Sequence, residues 1–136
     1  MAQHNTLGKL GELCAAEYLK RQGCIILEQN FRAGHLEIDI IASEGKFLAF
    51  VEVKTRSSEI LHTAISAVSQ AKCRALVYAA EEYMKTHNLA PPVRFDVITV
   101  VGHTAEDFVI KHYRNAFNPY SILHKDMQRR NRGDLF

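Results

Sequence analysis

Four charged residues in the first half of the chain have the types and spacing to share a proton or hold a divalent cation. Asp39 is followed, after twelve intervening residues, by Glu52-Val53-Lys54, and Glu37 precedes Asp39 by two positions. Alternating runs over 35–42 and 47–55, separated by Ser43-Glu44-Gly45-Lys46, predict an antiparallel hairpin. With a four-residue turn, Ala42 pairs with Phe47, Asp39 falls opposite Phe50 and Glu37 opposite Glu52, making Asp39 a diagonal neighbour of Glu52. Glu37, Asp39, Glu52 and Lys54 then project from one face, among Ile41, Leu48 and Phe50. Two carboxylates about 5 Å apart at an effective dielectric of roughly 20 repel by on the order of 3 kcal/mol. A shared proton, Lys54 as counter-ion, or a divalent cation held by oxygen ligands can each offset that repulsion. The competing account is the solvated face of a half-buried sheet. The apolar neighbours on that face favour a site.

The surrounding elements must hold these groups. Residues 6–22 have apolar positions at helical spacing and Gly23 as a stop. Glu12 has Ala15, Ala16 and Leu19 at i+3, i+4 and i+7 and so borders the apolar stripe, whereas Glu17 sits beside Lys20 and Arg21 on the wet face. From the helix alone, a Glu12 that edges the core and reaches to water is the simpler reading. Residues 24–30 form a first strand, and the first three strands read as an antiparallel meander. A second helix is expected over 63–87, with Ile65, Val68, Leu76, Ala79, Ala80, Tyr83 and Met84 as its buried stripe, then strands over 94–101 and 107–113. The order is α-β-β-β-α-β-β. A strand, a long helix and another strand make a right-handed crossover, so the third and fourth strands run parallel in one mixed sheet.

With 136 residues, 47% of them hydrophobic and 24% charged, the chain suits a single core. The three cysteines, at 14, 24 and 73, lack the spacing of a disulfide framework or a zinc ribbon. No secretion signal or membrane-length apolar run is evident, and a cytoplasmic protein without membrane contact is expected. The formal charge of +2 neither demands nor forbids a polyanionic partner. Residues 119–136 hold Lys125, Arg129, Arg130 and Arg132 against Asp126 and Asp134, a basic tail that reads as solvated chain or phosphate-binding arm. No pair of the seven histidines has metal-ligand spacing, so they are read as surface or tail residues. Asp96, between Phe95 and Val97, is read as a buried hydrogen-bonding acid with no catalytic part.

The sequence from Asp39 to Glu52-Val53-Lys54, with an acid on the preceding helix, resembles the PD-(D/E)xK nuclease superfamily. Within it the chain is similar to the YraN-like family of uncharacterised bacterial proteins, related to archaeal Holliday-junction resolvases. Five blocks in order carry the resemblance: Gly11-Glu12 with Ala15-Ala16 and Tyr18-Leu19; Asn30-Phe31-Arg32; Glu37-Ile38-Asp39-Ile40-Ile41-Ala42; Phe50-Val51-Glu52-Val53-Lys54-Thr55-Arg56; and Arg94-Phe95-Asp96-Val97-Ile98. The family has Gly directly before the Glu-Ile-Asp segment, where this chain has Leu36, with Gly34 two positions earlier.

The resemblance implies an α/β, restriction-endonuclease-like core with a central mixed five-stranded sheet flanked by helices, an endonuclease-like domain over 1–118, and a C-terminal basic tail over 119–136. It implies Mg²⁺ or Mn²⁺ bound by Asp39, Glu52 and the Val53 carbonyl, with Glu12 assisting through water. Lys54 would orient or deprotonate a water or stabilise phosphate charge, and the outcome would be hydrolysis of DNA phosphodiester bonds, branched DNA included. Glu37 would brace the site, bind a second metal, or pair with Arg32 or Arg56. Lys54, Arg56 and Lys72 are the candidate nucleic-acid contacts, with Gln70, Thr55, Ser57 and Ser58 near them. A homodimer is left open. The rival readings are a nucleic-acid-binding module of the same fold without turnover, and a protein-interaction domain whose acids form a structural network.

Overall fold

The computed structural model of the chain describes residues 2–58 and 69–132. Its elements are α1 (Ala2–Arg21), β1 (Ile25–Ala33), β2 (Leu36–Glu44), β3 (Phe47–Arg56), α2 (Gln70–Thr86), β4 (Val93–Val101), β5 (Val109–Tyr113) and α3 (Pro119–Arg132). The sheet runs β1-β2-β3-β4-β5, antiparallel except for the parallel β3/β4 pair that the α2 crossover joins. This is the expected α/β core, a mixed five-stranded sheet flanked by helices.

The helices cover opposite faces. Ala15, Ala16 and Leu19 of α1 pack on Ile40, Ala42, Ala49, Val51, Val53, Ile98 and Val100. Leu76, Val77, Ala79, Ala80 and Tyr83 of α2 pack on Ile38, Ile41, Leu48, Phe50 and Phe95. α1 ends where the Cys24 N–H bonds Leu19 O at 3.0 Å and the Gly23 N–H bonds Lys20 O at 3.0 Å, which satisfies carbonyls the helix leaves open. α2 begins at Ser69, whose hydroxyl accepts the Lys72 N–H at 3.1 Å. The expected start of this helix, with Ile65 and Val68, lies outside the described residues.

Three features differ from the sequence reading. First, the β2/β3 turn is two residues, not four: Glu44 pairs with Phe47, and Gly45, at φ +57, supplies the left-handed first position of a tight hairpin. Ser43 and Glu44 therefore remain strand, and the register moves by two residues. Second, α3 follows the seven expected elements. Ile122, 8% exposed, packs with Cys73 and Val97, and the intervening charged residues had masked this apolar contact in the sequence. Third, His112 is interior: its side chain is 2% exposed.

His112 belongs to a polar network under α1. Asp96, wholly buried, accepts Arg94 Nε at 2.9 Å, Arg94 Nη2 at 3.0 Å and the Asn115 N–H at 3.0 Å. His112 Nε2 lies 2.8 Å from Asp96 Oδ2, and its Nδ1 lies 3.2 Å from Tyr18 Oη. Arg94 and Arg114 converge on Glu44, at 2.7 Å and at 2.9 and 3.0 Å. Burial opposes ionisation of Asp96, but the bonds from His112, Arg94 and Asn115 hold its carboxyl below the usual range. The Arg114 bond, reinforced by Arg94, holds Glu44 down at about 2. Asp96 is thus the buried hydrogen-bonding acid its setting suggested, and it pins α1 to β4 and β5 through Tyr18.

Candidate active site

The shifted register brings the two central acids closer than expected. The β2/β3 ladder ends at Ile40 and Val51, and one further step sets Asp39 across from Glu52 instead of diagonal to it. At that step β2 also changes face. Ile40 packs on the α1 side but Ile38 on the α2 side, which strict alternation forbids. Asn30, the β1 residue facing Asp39 between the Gln29/Ile40 and Phe31/Ile38 pairs, has φ +53. The strand rotates there, and Asp39 sits at the point of rotation. Its Oδ2 accepts the Val53 N–H at 2.8 Å, so a side chain stands where backbone pairing stops.

One consequence corrects the expectation that Glu37, Asp39, Glu52 and Lys54 share a face. Glu52 follows Leu48 and Phe50 toward α2, whereas Glu37 lines a cavity with Glu12 and Lys9 of α1. Asp39 lies between them. Hydrogen bonds and charge couple it to Glu12 on one side and to Glu52 on the other. A carboxyl that hydrogen-bonds a carboxylate must carry the proton. Burial, and then the charge of Asp39, push Glu52 up to about 8, against the pull of Lys72 and Lys54. Burial and the Asp39 charge likewise push Glu12 up to about 7, with Glu37 adding and Lys9 opposing.

The cations are close by. Lys54 Nζ lies 3.5 Å and Lys72 Nζ 3.7 Å from the same oxygen, Glu52 Oε2. Glu52 is 3% exposed, and its other oxygen, Oε1, is buried without a hydrogen-bond partner. Such an atom costs on the order of 1–3 kcal/mol unless something fills the position. Among the described residues no three His, Cys, Asp or Glu side chains stand together as a ready ligand set. The donors that do converge are oxygens with excess negative charge, a set that fits a hard divalent cation and not a soft one. The Val53 group in contact with Asp39 is its N–H.

The remaining candidates separate. Glu37 Oε2 pairs with Arg32 Nη2 at 3.5 Å, on the surface. Arg56 is exposed, and its Nη1 donates to Thr55 O at 2.9 Å. Gln70 is exposed at the start of α2. Lys72 reaches Glu52 because one helical turn from the Ser69 cap turns it toward β3, a contact no sequence spacing indicates. The proximity of Cys73 to Glu52 was also unforeseen: burial pushes its thiol up, and the Glu52 charge adds to that. No helix of the described residues is long and apolar enough to cross a membrane.

Known proteins align with this arrangement across its whole span. The chain is 46% identical over 119 residues to UPF0102 protein BF0634 of Bacteroides fragilis, covering 88% of this chain and 98% of that one. It is 44% identical over 117 residues to UPF0102 protein FP2501 of Flavobacterium psychrophilum, covering 86% and 98%. The crystal structure of SSO0001 superposes with a TM-score of 0.39 at 13% identity, over 90% of this chain and 57% of that one. The family model matching residues 11–100, which include Glu12, Asp39, Glu52 and Lys54, is that of uncharacterised protein family UPF0102. The chain belongs to that family.

Proposed function

We propose that this chain is a metal-dependent nuclease that hydrolyses DNA phosphodiester bonds, branched DNA among its substrates. The observation that carries the reading is Asp39 set across from Glu52 one step beyond the last β2/β3 pair, with Glu52 Oε1 buried and unpartnered. An acid pair with one member buried is stable when protonated or when a cation lies against it, and the second state is the one useful for phosphoryl chemistry. Asp39 and Glu52 would hold Mg²⁺ or Mn²⁺, which supplies positive charge to the phosphoryl oxygens and acidity to the attacking water.

The chain's own groups account for the rest. Lys54 lies beside Glu52, where its ammonium can hydrogen-bond a phosphate oxygen and stabilise charge that builds as the bond breaks. Lys72 shares the same carboxylate oxygen and keeps Glu52 oriented if Lys54 turns to the substrate. Glu12, near neutrality in its titration, can accept and release a proton at physiological pH. Arg56, exposed two residues beyond Lys54, would meet an adjacent phosphate.

The test is cleavage of linear and four-way DNA with Mg²⁺ or Mn²⁺ by the wild type and by Asp39→Asn. Metal-dependent cleavage that the substitution abolishes supports the reading; no cleavage under any metal refutes it. A binding module without turnover is the second reading, favoured by the two lysines that already stand beside Glu52, where a metal-free site would present them to phosphate. It expects DNA binding that Asp39→Asn leaves unchanged or strengthens, and no hydrolysis.

A further inference from the structure

Beside the acid cluster, α1, β1 and β2 bound an open cavity of about 580 Å³. Its charges are layered. Lys9 and Arg32 are exposed at the rim; Glu12 and Glu37 are half-buried on its floor. Gln29 and Asn30, both exposed, and Leu13, 59% exposed, complete its lining. Arg32 is paired with Glu37, but its side chain is 75% exposed, and a screened surface pair is weak enough to exchange for another anion. Glu12, which lines the cavity, is also the acid on which the Asp39 charge acts, so the cavity lies beside the proposed catalytic acids.

Cations, amide residues and an apolar side chain are thus exposed around carboxylates that are half-buried among them. A nucleotide has the complementary groups. Its phosphate is the anion that stays in water, its base presents a flat apolar face, and the base edge carries N–H donors for carboxylate and amide acceptors. A duplex does not match: its base edges are already paired, and the backbone it presents is repelled by a carboxylate floor. The volume lies within the range of small-ligand sites.

We propose that this cavity is a subsite for an unpaired nucleotide of the DNA strand whose neighbouring phosphate enters the acid cluster. Lys9 and Arg32 take the phosphate, Leu13 lies against the base, and Glu12, Glu37 and the two amides meet its edge. The proposal rests on the nuclease reading for the identity of the neighbouring phosphate, and its preference for an unpaired strand goes beyond that reading.

The experiment measures Kd by fluorescence anisotropy for a labelled ten-nucleotide single-stranded DNA and for the same sequence as a duplex, in EDTA and at several salt concentrations. The wild type binds the single strand more tightly. The double variant Lys9→Gln/Arg32→Gln raises that Kd about tenfold and flattens the salt dependence by roughly 0.7 in log–log slope, the value for the one single-strand phosphate the two residues share. Leu13→Ala raises Kd severalfold with no change in slope. Lys85→Gln, which removes one charge from a separate cavity between α2 and the β1/β2 turn, leaves Kd within about twofold. All four residues are exposed, and unchanged Tm values verify folding. Equal or tighter duplex binding, no single-strand binding, or groove variants that bind like wild type would each overturn the proposal. If the groove variants weaken binding but the wild type hydrolyses nothing with Mg²⁺ or Mn²⁺, the subsite stands and the nuclease reading falls. If Asp39→Asn abolishes hydrolysis while the groove variants bind normally, the reverse holds.

Discussion

Replacing Glu52 by glutamine should make this protein more stable, in a way that depends on pH. Its carboxyl titrates at about 8 in the fold, against 4.5 as the ordinary value. A raised carboxyl contributes stability that is fully present below 4.5 and is lost as pH rises through 8, because the unfolded chain releases a proton that the folded chain retains. At pH 7 the loss is on the order of 3 kcal/mol, since each pH unit in that window is worth about 1.4 kcal/mol. Glutamine has the same shape and no charge to bury. Glu52→Gln should therefore match the wild type near pH 4.5 and exceed it by on the order of 3 kcal/mol at pH 7, roughly 10 °C in Tm. Lys54 and Lys72 lose their partner, but they are 24% and 35% exposed and can turn to water. Urea denaturation at pH 4.5, 7 and 8.5 measures the difference. Equal stability at all three values would mean that the two lysines hold Glu52 ionised, and the account of a strained acid pair would be wrong.

Metal should act on the same pair: Mn²⁺ at millimolar concentration raises the wild-type Tm more at pH 8 than at pH 6, because cation and proton compete for Glu52 and Glu12, and the gain disappears in Glu52→Gln. Gly11→Ala should cost about 1–3 kcal/mol. A Cβ at Gly11 overlaps Thr55, with Thr55 Cγ2 and Cβ at 2.8 and 2.9 Å, so α1 and with it Glu12 must move away from β3. Gly8→Ala, with nothing within 4 Å, is the matched control and should be neutral or slightly stabilising by thermal melt. Asp96→Asn should cost about 3–5 kcal/mol by urea denaturation, since it leaves Arg94 with a neutral, imperfect partner in a buried site. Glu44 governs the acid limb. Its depressed carboxyl contributes stability above pH 4.5 that is lost as pH falls toward 2, and Glu44→Gln should flatten the stability profile over that window.

Much of this protein is legible in its sequence because periodicity reports burial directly. The alternation of Phe47 to Thr55 and the 3.6-residue recurrence of Leu76, Ala79, Ala80 and Tyr83 mark the faces that pack, whatever they pack against. The α-β-β-β-α-β-β order and the parallel β3/β4 pair follow from those periods and from crossover handedness. The Asp39, Glu52 and Lys54 set was visible as three charges among apolar neighbours.

Other features needed the third dimension. Hairpin register turns on whether Gly45-Lys46 alone make the turn, and a two-residue difference preserves every face while changing every partner. The rotation of β2 at Asp39 coincides with the left-handed Asn30 on the neighbouring strand, so no reading of β2 alone contains it. Lys72 and Glu52 are twenty residues apart in sequence, and His112, Asp96 and Tyr18 come from three elements. Local spacing determines which face of an element is apolar. Which charged groups then meet at the end of a sheet depends on turn length, helix placement and strand twist, which only the assembled structure sets.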